Sequence, residues 1–337
     1  MIVRLFAAAL VLFAAGCATT HAVDASAGAA AGNRAVARNL ADALEANYVL
    51  PETGSRYAAR IRSHAAAGAY DGFADPAALA SRLTGDLRRV VVDPHLVVHP
   101  PEETEAAGKT RPARTLPPVL REARMIDGEI GYLDLGLMGW EDADIAAVGA
   151  ALDDMVSAAA IIIDLRDNVG GDLPVADLLF SRMTGEARRL LVMEQRSASI
   201  EALGEIFGSG DRVRRVDAPR GPRRYEHWTT PASDADLVDT PVYLLVGPGT
   251  VSAAEHLALA MRIAGRATLV GEPTRGANHF GTSLRLAGGY TLFVPVGRTF
   301  DPATGEDWEG DGVQPHVRVP ADAALDRALM MIRGEDV

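Results

Sequence analysis

Residues 247–276 read GPGTVSAAEHLALAMRIAGRATLVGEPTRG, and the pattern of this stretch decides the fold. The run just before it, PVYLLV (Pro241 to Val246), is short, apolar and rich in β-formers, which predicts a buried strand. GPGT breaks that strand. From Ser252 onward Ala253, Ala254, Leu257, Ala258, Met261 and Ile263 follow a helical period, and Gly265 stands where a helix would stop. ATLVGE (Ala267 to Glu272) then returns as the next strand.

Ser252 therefore stands where a strand turns into a helix. The first N–H groups of a helix have no partner of their own and point at any oxygen beside such a serine. An oxyanion forming at an attacked carbonyl would be held by them. The plain alternative is that Ser252 is an N-cap, a position serine favours. Chemistry requires a base and a second oxyanion donor from elsewhere in the chain.

The chain has 337 residues, enough for one large domain or for a small one plus a large one. A hydrophobic content of 48% with 23% charged residues is that of a globular protein with a real core. The formal charge of −12 argues against nucleic acid or an anionic membrane surface as partner, since both reward clustered Lys and Arg.

MIVRLFAAALVLFAAGC (residues 1–17) reads as a signal peptide, with Arg4 ahead of an apolar segment too short to span a bilayer. FAAGC resembles the lipobox of bacterial lipoproteins. That likeness implies cleavage before Cys17, lipidation of its sulfur and residence in the cell envelope; Ala18 favours the outer membrane. Cys17 is the only cysteine, so no intrachain disulfide can form.

Residues 18–32 are small and polar and read as a flexible tether. Residues 33–98 read as a helical N-terminal subdomain, with Asp75-Pro76 as a helix start signal. The Pro- and charge-rich 99–124 reads as a linker, and 125–337 as the core domain. In the core, GEIGYLDL is a strand, EDADIAAVGAALDDMVSA an amphipathic helix, AIIIDLR a buried strand, and Pro174 opens a helix. Residues 184–239 read as a surface excursion, either a solvated loop or a lid, and GYTLFVPVGRTFDPATGEDWEGDGV as a hairpin turning at PATGE. Alternating β and α segments indicate a sheet with helices packed on it.

A second oxyanion candidate is DLRDNVGGD (Asp164 to Asp172), where a buried strand ends in a glycine pair ahead of a helix. The base falls to histidine, because the single lysine, Lys109, lies in the linker. His21 is in the tether, His64 on a helical face and His227 in the 184–239 stretch. His256 follows Ser252 by four residues, and His316 is near the last strand. His95 in VVDPHLVV and His279 in TRGANHFG are the two at junctions. A lone histidine is more often structural than catalytic, so spacing alone does not make either of them the base.

LTGDLRRVVVDPHLVV, GYLDL, IIIDLRDNVGGDLPVA, TVSAAEHLALAMRIAGRATLVGEPTRGAN and DWEGDGVQP occur in the order found in the tail-specific (C-terminal processing) serine peptidases. The sequence resembles most the branch holding the tricorn core protease and the interphotoreceptor retinoid-binding protein modules, from about Asn33 to the C-terminus. The resemblance implies an α/β, crotonase/ClpP-like ββα core domain with a small helical N-terminal subdomain, and no PDZ module. It implies Ser252 as nucleophile, His95 as base and Glu309 of WEGDGV as the third catalytic residue. Gly170 and the Ala253 N–H are implied as the oxyanion hole, with Gly171 and His279 as candidate substrate-binding residues. The tail-specific branch carries a lysine 25 positions after the serine, where this chain has Ala277. Two further departures are Val169 in place of the first of three glycines and His316 in place of an aspartate.

The activity implied is a Ser-His-Glu peptidase acting on peptides or unfolded protein tails, with no metal or organic cofactor. Its membrane contact would be the lipid anchor alone. The rival readings are a non-catalytic lipoprotein that binds a peptide or apolar ligand in the same cleft, and an esterase, which the absence of GxSxG ranks lower.

Overall fold

The chain opens in helices because its apolar residues recur at helical spacing behind defined start signals. The computed structural model describes residues 20–101, 116–216, 221–233 and 235–335, with side chains from residue 28 onward. The signal segment, Cys17 and Lys109 lie outside the described residues. Helices α1 (Thr20–Asn47), α2 (Pro51–Ala66) and α3 (Pro76–Arg88) come first. The Asp75 carboxylate accepts from the N–H groups of Ala77 and Ala78, and Pro76 follows it, so the expected start signal caps α3. The tether expected over residues 18–32 is helical from Thr20 on. Its alanine-rich composition has high helix propensity and runs directly into the apolar face of α1.

The strands in chain order begin with β1 (Val97–His99), β2 (Leu120–Ile126), β3 (Ile130–Leu135) and β4 (Ala160–Asp164). Next are β5 (Arg189–Gln195), β6 (Val213–Val216), β7 (Arg223–Trp228) and β8 (Val242–Val246). The last are β9 (Ala267–Gly271), β10 (Phe280–Arg285), β11 (Thr291–Phe300) and β12 (Val317–Arg318). The remaining helices are α4 (Asp142–Asp153), α5 (Pro174–Met183), α6 (Ser197–Leu203), α7 (Ala253–Ile263) and α8 (Ala324–Arg333).

Two six-stranded sheets result. One has the order β12-β9-β8-β4-β3-β2, parallel except for the antiparallel edge strand β2. It is covered on both faces, which is why AIIID is a continuous apolar run. Ile161 and Ile163 pack with Leu152, Leu179 and Leu257 of α4, α5 and α7, while Ile162 meets Ala324 and Ala328 of α8. The other sheet is antiparallel, in the order β1-β11-β5-β7-β6 with β10 on the far side of β11. Leu292, Val294 and Val296 of β11 are fully buried with Leu40 and Leu44 of α1, Ile61 of α2 and Leu83 of α3. At about 1.5–3 kcal/mol per buried aliphatic side chain, this contact fixes the helical subdomain onto the second sheet.

Three expectations change. The strand β2 begins at Leu120, so the core sheet starts inside the expected linker 99–124; residues 102–115 of it lie outside the described residues. The 184–239 stretch is no loop excursion but carries β5, α6, β6 and β7. Its charges misled because they alternate: Arg189–Glu226 and Arg224–Glu194 pair across the solvated face while Leu191, Met193 and Tyr225 are buried. The hairpin expected around PATGE is also absent. β11 pairs instead with β1, β5 and β10, and the Gly- and Asp-rich 301–316 that follows contains no strand.

Candidate active site

The carboxyl ends of β4, β8 and β9 lie side by side, because these strands are parallel neighbours. Open parallel sheets place their ligand sites at this edge. The loop after β8 is tied down on the loop after β4. Val251 N–H donates to the Asn168 carbonyl at 2.9 Å, and the Thr250 hydroxyl donates to the Leu165 carbonyl at 2.7 Å. A Cβ at Gly249 would stand 2.4 Å from the Arg166 carbonyl oxygen, so only glycine permits this approach.

This clamping delivers Ser252 to the mouth of α7 with φ 57° and ψ −117°. An ordinary N-cap is extended, so this backbone is not that of a simple cap. A non-glycine residue held at positive φ costs about 1–3 kcal/mol, a strain that clusters at functional sites. Its support is Glu255, fully buried, whose Oε2 accepts from the N–H groups of Ser252 (2.8 Å) and Ala277 (2.9 Å). Oε1 of the same carboxylate accepts from the Thr274 hydroxyl and from the Gly276 N–H at 2.7 Å. Sequence reasoning did not single out Glu255, although Ser-x-x-Glu is the signature of a capping box.

Gly170 packs directly on the serine: a Cβ there would lie 2.8 Å from Ser252 Cβ and 3.4 Å from the Ala253 nitrogen. Its φ of 88° suits glycine alone. Its N–H, however, is not free as expected for an oxyanion donor. It donates to Asn168 Oδ1 at 2.9 Å, and the buried Asn168 is itself anchored to the Leu135 carbonyl at 2.8 Å. The expected role of Gly170 therefore becomes one of close packing. Among the described residues the N–H groups left without a partner here are those of Gly171 and Ala253. The Gly171 bridge to Met138 uses the Gly170 carbonyl and the Asp172 N–H and leaves the Gly171 donor out.

The histidines expected at junctions gather around a residue that sequence reasoning passed over. Asp93, buried, accepts from His279 Nδ1 at 2.8 Å and from the Tyr48 hydroxyl at 2.9 Å through Oδ2, and from the His95 N–H at 2.9 Å through Oδ1. The last of these is an Asx turn, which the Asp-Pro-His spacing could have signalled. His279 Nδ1 lies 3.7 Å from Glu309 Oε1. Glu309 Oε2 accepts from the N–H groups of Asn278 (2.7 Å) and His279 (3.2 Å), while its Oε1 is buried without a partner. His95 Nδ1 is likewise buried without a partner, its ring 5.9 Å from that of Phe293.

Burial pushes the Glu309 carboxyl up to about 7, the His279 charge working against the shift and Asp93 adding to it. Burial also lowers His95 and would lower His279, but the bond to Asp93 and the Glu309 charge outweigh it and raise His279. For Asp93 burial acts upward, and the His279 and Tyr48 hydrogen bonds overcome it to hold the group below its usual range.

The structure thus holds two half-sites, one of Ser252, Ala253, Gly170 and Gly171, the other of Asp93, His95, His279 and Glu309. No hydrogen bond joins Ser252 to an imidazole among the described residues. The halves connect through Glu255, since Ala277, which it holds, is two residues from His279. His64 is not a free exposed side chain but bonds Asp86 at 2.9 Å. His316 Nδ1 accepts from the Leu269 N–H at 2.9 Å and so helps pin the sheet edge.

Comparisons with known proteins place the chain in a family. Residues 129–319, more than half of the chain, match the model described as peptidase family S41. The chain belongs to this family. Residues 30–129 match the model described as the N-terminal domain of Peptidase_S41 in eukaryotic IRBP. The chain is 30% identical over 194 residues to carboxyl-terminal-processing peptidase 2, chloroplastic, of Arabidopsis thaliana, covering 57% of this chain and 32% of that one. It is 28% identical over 163 residues to the C-terminal processing peptidase, chloroplastic, of Tetradesmus obliquus, covering 48% and 29%. The chain thus spans about a third of the length of these relatives.

Two solved structures share the fold over nearly the whole chain. A protein from Parabacteroides merdae ATCC 43184 aligns with TM-score 0.61 and 16% identity over 89% of this chain and 96% of its own. A lipoprotein from Streptococcus agalactiae aligns with TM-score 0.56 and 14% identity over 90% and 97%. At these identities the likeness establishes a shared mixed α/β fold with a helical N-terminal region.

Proposed function

We propose that this member of family S41 is a serine peptidase, with Ser252 as nucleophile, His95 as general base and Glu309 as the carboxylate that polarises the imidazole side of the site. The observation that carries this reading is Ser252 itself: strained at the mouth of α7, in contact with Gly170, and beside two N–H donors without partners. Ser252 Oγ attacks the scissile carbonyl and its proton passes to His95; the N–H groups of Gly171 and Ala253 receive the oxyanion. His95 returns the proton to the leaving amine as the C–N bond breaks, and water then hydrolyses the acyl-enzyme. The lowered basicity of His95 keeps it neutral, as a base must be before reaction.

A peptide or an unfolded tail suits the surroundings. Val169, next to the Gly170–Gly171 turn in the chain, is exposed by 43% and offers apolar surface to an extended substrate. The processing peptidases that the chain resembles support the same substrate class. With a lipid on Cys17, the enzyme would work in the cell envelope, held at the outer membrane.

Replacing Ser252 with Ala in a folded protein is expected to lower turnover by about 10⁴–10⁶-fold and to abolish labelling by a serine-reactive phosphonate probe. The absence of a Ser252–imidazole hydrogen bond favours one second reading, a lipoprotein that holds a peptide without cutting it. A parent protein that is folded, unlabelled and inactive on unfolded substrates would establish that reading instead. Catalytic hydrogen bonds often form only once substrate is bound, which is why the peptidase reading leads.

A further inference from the structure

Asp93, His279 and Glu309 come from three separate segments: the turn between α3 and β1, the loop between β9 and β10, and the irregular stretch after β11. One potential ligand atom from each lies within 4.8 Å of the other two. His279 Nδ1 stands 2.8 Å from Asp93 Oδ2 and 3.7 Å from Glu309 Oε1. Two N or O ligands at about 2.1 Å from one divalent ion are separated by about 3.0–3.6 Å for angles between about 90° and 120°. Both distances are near that range without any movement of the backbone.

The groups behind these atoms are already arranged as outer-shell supports. The Tyr48 hydroxyl donates to Asp93, and two consecutive N–H groups hold Glu309 Oε2, which turns Oε1 inward. Oε1 is buried and has no hydrogen-bond partner, the His279 Nδ1 donor standing 3.7 Å away, a condition that costs about 1–3 kcal/mol for a polar atom. A cation is the partner such an oxygen lacks. One imidazole with two carboxylates is a borderline N/O donor set, suited to Zn²⁺ and chemically similar divalent ions. A cavity of about 210 Å³ lined by Tyr48, Thr53, His279, Arg298 and Glu309 gives the ion a way in.

We propose that Asp93, His279 and Glu309 form a binding site for a divalent transition-metal ion of the Zn²⁺ class, and that its occupancy inhibits the enzyme. Binding replaces the Nδ1 proton shared by His279 and Asp93, which leaves to solvent, and the two carboxylates neutralise the ion's charge. The ion takes no part in peptide hydrolysis. It occupies the Glu309 carboxylate that would otherwise act on the imidazole side of the site, and it departs from the cofactor-free expectation only in this regulatory sense. The inhibitory half rests on the peptidase reading; the binding half does not.

The test is calorimetric titration of ZnCl₂ into chelator-treated full chain carrying Ser252→Ala, together with Co²⁺ absorption. The expected result is one ion per chain, proton release, and visible d–d bands from the Co²⁺ form. Tyr48→Phe should weaken binding about 10-fold, within the range for an outer-shell partner, and His279→Gln and Glu309→Gln by more than that. Circular-dichroism melts establish that each variant is folded, and either ligand variant suffices if the other is not. Absence of stoichiometric binding, or binding that survives the ligand substitutions, would overturn the site. Zn²⁺ that saturates Ser252→Ala yet leaves the parent's turnover untouched would overturn the inhibition alone. Binding by a parent with no turnover would refute the peptidase reading and leave the metal site standing.

Discussion

Gly170→Ala isolates the packing of the glycine turn on the nucleophile. The new methyl carbon would sit 2.8 Å from Ser252 Cβ and 2.7 Å from the Val251 carbonyl oxygen. Carbon–carbon contacts relax near 3.5 Å, so Ser252 or the turn must move by about 0.7 Å. Both are tied to their sheet by the Val251–Asn168 and Gly170–Asn168 hydrogen bonds, which leaves the serine little room to retreat. A misplacement approaching 1 Å costs about 10²-fold in rate. An L-residue at φ 88° adds about 1–2 kcal/mol of strain and overpacking about 1–3 more, so stability should fall by about 2–5 kcal/mol. The matched control is Gly128→Ala in the β2–β3 turn, with φ 76° and nothing within 4 Å of the added methyl. That variant should lose only the strain, about 1–2 kcal/mol, and keep its rate. The assay is kcat/KM on an unstructured peptide well below both melting temperatures, with guanidinium titrations for stability. A Gly170→Ala enzyme within about twofold of the parent rate, or a Gly128→Ala enzyme equally impaired, would refute the argument.

Two further predictions rest on buried polar groups and a third on the lipidation proposed at Cys17. Glu255→Ala strands the N–H groups of Ser252, Gly276 and Ala277 and the Thr274 hydroxyl, and should cost about 3–5 kcal/mol in urea unfolding; a loss under about 1 kcal/mol would mean that water replaces the carboxylate. His256 is packed in a buried chain, its Nε2 2.8 Å from His227 Nδ1, with His227 Nε2 2.9 Å from Asp177, and burial followed by the His227 charge holds it well below its ordinary 6.5. A depressed base loses stability as pH falls, because below that value the unfolded chain takes up a proton that the folded chain refuses. His256→Gln should therefore flatten the fall in stability below about pH 6.5 by up to about 1.4 kcal/mol per pH unit, and parallel curves would exclude His256 as the source. If Cys17 carries the proposed lipid, Cys17→Ser should move the protein from the membrane to the soluble fraction, and unchanged fractionation would refute the anchor.

How much could be read from the chain depended on the sequence distance each contact spans. The strand–helix rhythm from Met125 to Asp164 and from Pro241 to Glu272 was legible because each unit buries its own apolar face on its neighbours. The β3–β4 and β8–β9 pairs then follow from crossover length alone. Ser252 was legible as a junction for the same local reason. The second sheet was not, since β11 pairs with β1 and β5, far away along the chain, and nothing in TLFVPVGRTF names those partners. The imidazole half-site was hidden for that reason too: the His279–Asp93 contact spans 186 residues. Gly170 was recognised as a neighbour of Ser252, but the partner that its N–H has in the structure was not foreseen. The amide of Asn168, two residues before it, could claim that donor only once the Leu135 carbonyl had fixed its orientation.

The division of the candidate site between two sheets has a consequence for what the N-terminal helices do. The Ser252 half hangs from the parallel sheet, whose core does not involve those helices. Asp93 and His95 follow α3, and Tyr48 ends α1, so the imidazole half exists only while α1–α3 are docked on β11. The docking is itself coupled to the site, because the Tyr48 hydroxyl that meets Asp93 belongs to a ring packed on Tyr57 of α2 at 5.1 Å between centroids. The main-chain N–H of Val49 adds a further tie by donating to the Pro295 carbonyl of β11 at 2.9 Å. A helical region that merely stabilised the chain could pack anywhere on the surface. This one is placed where loosening it would pull Asp93 away from His279 while leaving the parallel sheet and its strained serine intact, so the helices help to build the candidate site rather than merely supporting the chain.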